Sequence, residues 1–210
     1  MKATGAILAG GKSSRMKYNK AFMKIGGCPV IDIIADKFSA LFEETIIITN
    51  EIELFSGLGL KAYTDIYPRM GPVSGIHSAL YNARYDEVFV MGCDMPFVDI
   101  NLARYLLEKL GPYDSAVPEI DGHLQPLTAA YHRRSLPVFT GCLEQNHLKL
   151  TRIFREELNA LLVPRAELEA FGHIEHMFFN INDSEALAKA EEIAGGLGLL
   201  DKCAKISTSG

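Results

Sequence analysis

Glu87 to Gly92 reads EVFVMG, four apolar residues in an unbroken row, and Cys93-Asp94-Met95-Pro96 follows at once. A half-exposed strand would alternate apolar with polar residues, so an unbroken row of this length suits a strand covered on both faces, as in parallel sheets flanked by helices. Thr4 to Leu8 is a second short apolar run and ends in the turn Gly10-Gly11, while Thr45 to Thr49 carries three isoleucines and reads as a buried strand. Between them, Pro29 opens a helix whose apolar residues Ile31, Ile34, Ala35, Phe38, Leu41 and Phe42 keep helical spacing. Strand and helix then alternate along the chain.

The remaining elements follow the same signals. Lys20 to Ile25 extends briefly before Gly26-Gly27, a short helical piece precedes a strand near Lys61 to Tyr63, and Pro72 begins a helix that runs to about Asn82. Asn101 to Leu110, Ser135 to Gln145 and Leu150 to Glu156 read as helices, and Ser115 to Val117 and Leu127 to His132 as strands. MFFNIN, residues 177–182, is expected as a further strand, with Asn182 or Asp183 capping a helix from Ser184 to about Ile193. The alternation implies an α/β three-layer sandwich, a mostly parallel sheet with helices on both faces. Residues 1–194 are expected to form one domain, and the glycine- and serine-rich tail, 195–210, to be partly disordered.

Bulk properties narrow the function. With 210 residues and 48% hydrophobic content the chain can bury a sizeable core. Cys28, Cys93, Cys142 and Cys203 form no C-x-x-C pair, which suggests neither a zinc cage nor a disulfide scaffold and favours the reduced cytoplasm. No apolar run approaches the roughly 18 residues of a membrane span, so neither export nor a membrane partner is expected. A net charge of −5 argues against a general nucleic-acid binder. Its distribution is uneven: residues 1–31 hold Lys2, Lys12, Arg15, Lys17, Lys20 and Lys24 and no acid, leaving the rest at −11. Such a local positive field beside a glycine turn suits a small polyanion such as a nucleoside triphosphate, unless these are merely solvated surface lysines.

The stretch LAGGKSSRM, residues 8–16, ends its glycines with Gly11-Lys12-Ser13 as a P-loop does, but Ala6 stands where the first glycine belongs. A P-loop arc would also have to take in Ile7 and Leu8, which belong in a sheet core. The dinucleotide fingerprint G-x-G-x-x-G is absent too. What remains is a tight A-G-G turn directly after a strand, followed by a basic loop.

LAGGKSSRMKYNKA resembles the N-terminal signature of the MobA-type nucleotidyltransferases, L-A-G-G-x-S-x-R-M-G-x-[DN]-K. In the family's order, TDIYPRMGPVSGI resembles its D-x(5,6)-G-P-[LV]-x-G-[IM] segment, GCDMPFV its C-D-x-P segment and FFNINDSEAL its N-[VI]-N-x-x-x-[DA]-L segment. The matches span residues 4 to about 190. The resemblance implies a Rossmann-like nucleotidyltransferase fold, GTP and Mg²⁺, and transfer of GMP to a molybdopterin acceptor with release of pyrophosphate. Molybdoenzyme apoproteins or their chaperones are further partners it suggests. Two departures stand out: Lys17 occupies the usual glycine position and Asn19 replaces the commoner Asp.

The resemblance makes Leu8, Ala9, Gly10 and Lys20 nucleotide contacts, and Gly10 and Gly11 permit the backbone to approach a nucleotide without a Cβ in the way. Lys20 and Arg15 are candidates to neutralise the triphosphate and the charge that grows as pyrophosphate leaves. Asp94 is the candidate Mg²⁺ ligand and a catalytic residue, since Mg²⁺ is usually held by one or two carboxylates with phosphate oxygens and water; the alternative is a cap on the helix after Pro96. Asp65 is placed at a guanine contact, because one carboxylate accepts from both N1–H and the 2-amino group, with Asn50 beside it; otherwise Asp65 holds a turn. GHLQPLTAAY, residues 122–131, resembles the pterin side of the cleft, which nominates His123 and Gln125 as acceptor contacts, although many members carry Arg or Lys at the position of His123. Asn180 and Asn182 face the acceptor, order the metal site or cap the next helix. His173 and His176 read as surface histidines.

Rival readings are a cytidylyltransferase or sugar-phosphate enzyme, which more often carry L-A-A-G or A-A-G at the first turn, and a non-catalytic cofactor carrier, against which Lys20, Asp65 and Asp94 count together.

Overall fold

The computed structural model describes residues 1–10 and 19–199. The strands are β1 (Thr4–Leu8), the small hairpin β2 (Lys24–Ile25) and β3 (Cys28–Pro29), β4 (Glu44–Ile48), β5 (Lys61–Tyr63), β6 (Glu87–Gly92), β7 (Ser115–Ile120), β8 (His123–Leu124), β9 (Thr128–His132) and β10 (Ala160–Pro164). The helices are α1 (Val30–Leu41), α2 (Gly71–Asn82), α3 (Ile100–Leu110), α4 (Leu136–Glu144), α5 (Leu150–Arg152), α6 (Arg165–Leu168), α7 (Ile174–Met177) and α8 (Ser184–Gly196). Among the described residues the main sheet runs β10-β7-β9-β6-β1-β4-β5, with β8 hairpinned onto β7. The β1–β4, β1–β6, β4–β5 and β7–β10 pairs are parallel, and β9 lies antiparallel between β6 and β7.

The apolar runs behave as doubly covered strands should. Ile7, Ile47, Phe89 and Met91 point into one core, which α1, α3 and α8 cover. Their neighbours Ala6, Leu8, Ile46, Ile48, Val88 and Val90 point into the other, beneath α2 and α4. Period-2 alternation therefore serves two apolar layers instead of one, and the result is the mostly parallel three-layer sandwich that the sequence implies. No helix among the described residues is long and apolar enough to cross a membrane.

Gly5 sits where β1 passes under Phe38 and Phe42. A Cβ there would come within 2.6 Å of the Phe38 ring and closer still to Phe42. The two rings pack edge to face at 5.2 Å and also contact Phe89, so the absence of a side chain at residue 5 is what lets this aromatic cluster lie flat on the sheet.

Some expectations fail. MFFNIN forms no strand: Met177 closes α7, and the segment beyond it crosses the strand ends, joined to β6's extension by the bond from Ile181 N to Asp94 O at 2.9 Å. The sides of β6 are already taken by β1 and β9. The apolar character of the segment is spent on Ile181, which is fully buried, and on Phe178 and Phe179, which pack against the core of α1, α3 and α8. Conversely β10 escapes sequence reading, since this edge strand fully buries only Val163. The expected helix from Leu150 to Glu156 begins with ordinary winding and then widens, one α turn running into a π turn over Ile153–Glu157. The expected disordered tail falls mostly on residues 200–210, outside the described residues; up to 196 the chain is α8.

Candidate active site

Chain order and spatial order diverge at β1. From β1 the sheet grows through β4 to β5 on one side and resumes with β6 on the other, and in open parallel sheets ligands bind beyond the carboxyl ends at such a reversal. Leu8, Ile48 and Gly92 are in register there, with Tyr63 beside Ile48. The backbone beyond these residues is tied together by Ala9 N to Ile48 O at 2.9 Å, Thr49 N to Tyr63 O at 2.9 Å and Cys93 N to Leu8 O at 3.1 Å. Every nominated site residue within the described chain, apart from the more distant His123 and Gln125, lies on or next to this short row.

On the β4–β5 side Asn50 and Asp65 form a closed pair. Asn50 Nδ2 donates to Asp65 Oδ2 at 2.9 Å, and Asp65 N donates to Asn50 Oδ1 at 3.3 Å. Burial raises the Asp65 carboxyl above its ordinary range, and the amide of Asn50 partly offsets the rise. A carboxylate in this state gains from any further donor. Thr49, fully buried, braces the same corner, donating through Oγ1 to Ala9 O at 3.2 Å and accepting from Glu51 N.

On the β6 side Asp94 folds back over Gly92, whose missing Cβ would lie 2.9 Å from Asp94 Oδ1. It does not cap a helix. Asp99 caps α3, accepting from Asn101 N at 2.7 Å. Burial raises the Asp94 carboxyl, while its own backbone N–H and the Lys20 ammonium draw it the other way. Asp94 has no ion pair among the described residues, so its anion is only partly compensated. That donor chemistry fits a hard divalent cation shared with phosphate oxygens. Burial of its sulfur first, and then the charge of Asp94, push the neighbouring Cys93 thiol up to about 12, so it stays protonated at neutral pH.

Lys20 connects the two halves. It lies in a short 3₁₀ turn that Asn19 caps, its Oδ1 accepting from Ala21 N at 3.1 Å, while Asn19 Nδ2 holds Glu51 at 2.8 Å. Lys20 Nζ donates to Asn182 Oδ1 at 2.5 Å. The two asparagines of NIN therefore part company: Asn182 meets Lys20, whereas Asn180 turns back on its own chain to Phe178 O at 3.2 Å. Neither caps α8, since Asp183 accepts from Ala186 N at 2.8 Å. Gly11 and Arg15, nominated for the phosphate loop, lie outside the described residues.

His123 and Gln125 stand on the β8 hairpin and the turn after it, on the same edge of the sheet but displaced toward β7. His123 is exposed; Gln125 N is engaged with Pro118 O. The turn that follows reaches the row itself, through Gly92 N to Leu127 O at 2.9 Å. Farther out, Arg165, Glu169 and Gly172 to Glu175 border a separate cavity, and Asp121, Glu169 and Glu175 share the Arg165 guanidinium. Sequence reasoning missed Thr49 and Gly75. The latter admits Leu8 into α2, since a Cβ would lie 3.1 Å from Leu8 Cδ1, and its signal was the second glycine of GPVSGI.

A reversal of a mostly parallel sheet, rimmed among the described residues by one cation, one half-buried carboxylate and a carboxylate-amide pair, defines an α/β nucleotide-handling enzyme. Comparison with known proteins gives the particular family: the profile of the MobA-like NTP transferase domain matches residues 5–161, and the chain belongs to that family of nucleotidyltransferases, which generally use a divalent metal. It is 38% identical to a probable molybdenum cofactor guanylyltransferase of Pelotomaculum thermopropionicum, over 92% of this chain and 94% of the relative. It is also 38% identical to one of Clostridium perfringens, over 92% of this chain and the whole of the relative. Among solved structures, the molybdopterin-guanine dinucleotide biosynthesis protein A of Archaeoglobus fulgidus superimposes with a TM-score of 0.80 at 26% identity, covering 92% of this chain and 99% of that one.

Proposed function

We propose that this chain transfers GMP from GTP to the phosphate of molybdenum-bearing molybdopterin and releases pyrophosphate. The observation that carries the reading is the meeting of Lys20, Asp94 and the Asn50–Asp65 pair on one sheet edge, in a chain whose relatives bear the names given above. Residues 1–194 act as one catalytic domain, and the cytoplasm, where thiols stay reduced, is the setting that suits it.

An acceptor phosphate oxygen attacks the α-phosphorus in line. The bond from the α-phosphorus to the bridging oxygen breaks, and pyrophosphate leaves with its electron pair. The nucleophile is already an anion, so no protein base is needed, and catalysis rests on alignment and charge. Asp65 accepts from guanine N1–H and the 2-amino group. Leu8 to Gly10 pass beneath the nucleotide, where glycine lets the backbone approach. Lys20, with Arg15, compensates the negative charge on the departing pyrophosphate. Asp94 would hold Mg²⁺, which when bound polarises the phosphoryl oxygens as a Lewis acid. His123, Gln125 and Asn180 border the acceptor side, and molybdoenzyme apoproteins or their chaperones receive the product.

A panel of nucleotides tests the reading. GTP with Mg²⁺ raises the melting temperature well above the effect of ATP or CTP, and pyrophosphate appears only when the molybdopterin acceptor is added. Equal shifts for all three nucleotides would remove the guanine assignment.

A further inference from the structure

The sequence offered three roles for Asn182: acceptor contact, metal-site ordering and helix cap. The cap is excluded, because Asp183 fills it. What Asn182 touches is Lys20, and the segment that carries it is fixed on both sides. Ile181, one residue before, is fully buried and bonded through its N–H to Asp94 O; Asp183, one residue after, is fastened to the first turn of α8. The Asn182 amide is therefore delivered by a rigid backbone to a point between the Asp94 strand end and the Lys20 turn.

From this we infer that Asn182 is a positioning residue for Lys20, acting on the nucleotide half of the site rather than on the acceptor; the inference rests on the nucleotidyltransferase reading. An ammonium has three N–H donors on a freely rotating stem. Asn182 Oδ1 takes one of them at 2.5 Å, which fixes the direction of the other two and removes much of the rotamer freedom that phosphate binding would otherwise have to remove. The acceptor has to be neutral. An amide oxygen orients the ammonium and leaves its positive charge for the phosphates, whereas a carboxylate of the same shape would form an ion pair with Lys20 and cancel that charge. Charge and shape thus separate at this position, and substitution can separate them too.

Asn182→Ala and Asn182→Asp test the assignment, with pyrophosphate release, the GTP–Mg²⁺ thermal shift in the absence of acceptor, and the unliganded melting temperature as readouts. Asn182→Ala is expected to lower kcat about ten- to a hundredfold, the range for loss of one hydrogen bond to a charged group, to shrink the GTP–Mg²⁺ shift, and to leave the KM for acceptor within about twofold. Asn182→Asp is expected to melt no lower than the parent, through its new ion pair, and still to lose activity at least as far. In a double-mutant cycle with Lys20→Met the two losses should be strongly non-additive. A raised acceptor KM with an unchanged GTP shift, an active Asn182→Asp variant, or additive losses would each overturn the inference. Parent protein that shows no preferential GTP shift and no pyrophosphate release would instead overturn the function proposed above, so the two failures are distinguishable.

Discussion

Asn50 and Asp65 clasp each other across the ends of two neighbouring parallel strands, each supplying one donor and one acceptor to the other. The clasp leaves Asp65 Oδ1 without a partner among the described residues, on a carboxylate that burial has already made eager for one. Asp65→Ala should therefore weaken GTP roughly ten- to a hundredfold and should weaken inosine triphosphate, which lacks the 2-amino group, less. Calorimetric titration of both nucleotides checks the difference. Equal weakening would mean that Asp65 shapes the loop without reading the base.

Asp94→Ala should abolish pyrophosphate release, by at least about a hundredfold if a metal contributes several kcal/mol to the transition state, with the far-ultraviolet circular dichroism of the parent. Its carboxylate has no ion pair to lose among the described residues and suffers a burial cost, so thermal stability should hold or rise. Turnover close to that of the parent would place the metal elsewhere.

Two glycine substitutions should act in opposite directions. Gly5→Ala drives a methyl group into Phe38 and Phe42 and should cost about 1–3 kcal/mol as overpacking. Gly141→Ala, inside α4 with open space around it, should be neutral or stabilise by up to about 1 kcal/mol. Urea denaturation measures both.

His77 gives stability a pH dependence. It is buried between α2 and α4, its Nε2 meets Thr140 Oγ1 at 3.1 Å, Tyr67 and Tyr81 lie against the ring, and Nδ1 has no partner among the described residues. Burial lowers its pKa in the folded protein. The unfolded chain therefore takes up a proton first, and its contribution, intact above the unfolded value near 6.5, is lost as pH falls from there toward the depressed folded value. Denaturation at pH 7.5 and 5.5 should show a steeper loss in the parent than in His77→Gln, by no more than about 1.4 kcal/mol per pH unit. Parallel profiles would count against a depressed His77.

The strands that position the site were legible because each carries its own evidence: EVFVMG and TGAIL are unbroken apolar runs that end in turn residues, and only a doubly covered strand needs both. The site was legible where a residue's type already limits its chemistry, as for Asp94 and Lys20. NIN was misread because Ile181 and the two phenylalanines before it are apolar for a reason other than pairing: they anchor a crossing segment, and period alone does not separate an anchor from a strand. β10 was invisible for the opposite reason, an edge strand with too little buried surface to leave a pattern. The Lys20–Asn182 contact joins residues 162 positions apart, a relation that no local window contains.

That separation has a consequence for synthesis. The sheet reversal can assemble once β6 has emerged from the ribosome, but the amide that steadies Lys20 and the backbone that steadies Asp94 arrive only with residues 181 and 182. A product truncated before residue 181 would own the crevice without its latch, so competence for transfer would be acquired only once residues 181 and 182 have been made and would be forfeited by proteolytic loss of α8 together with the residues leading into it.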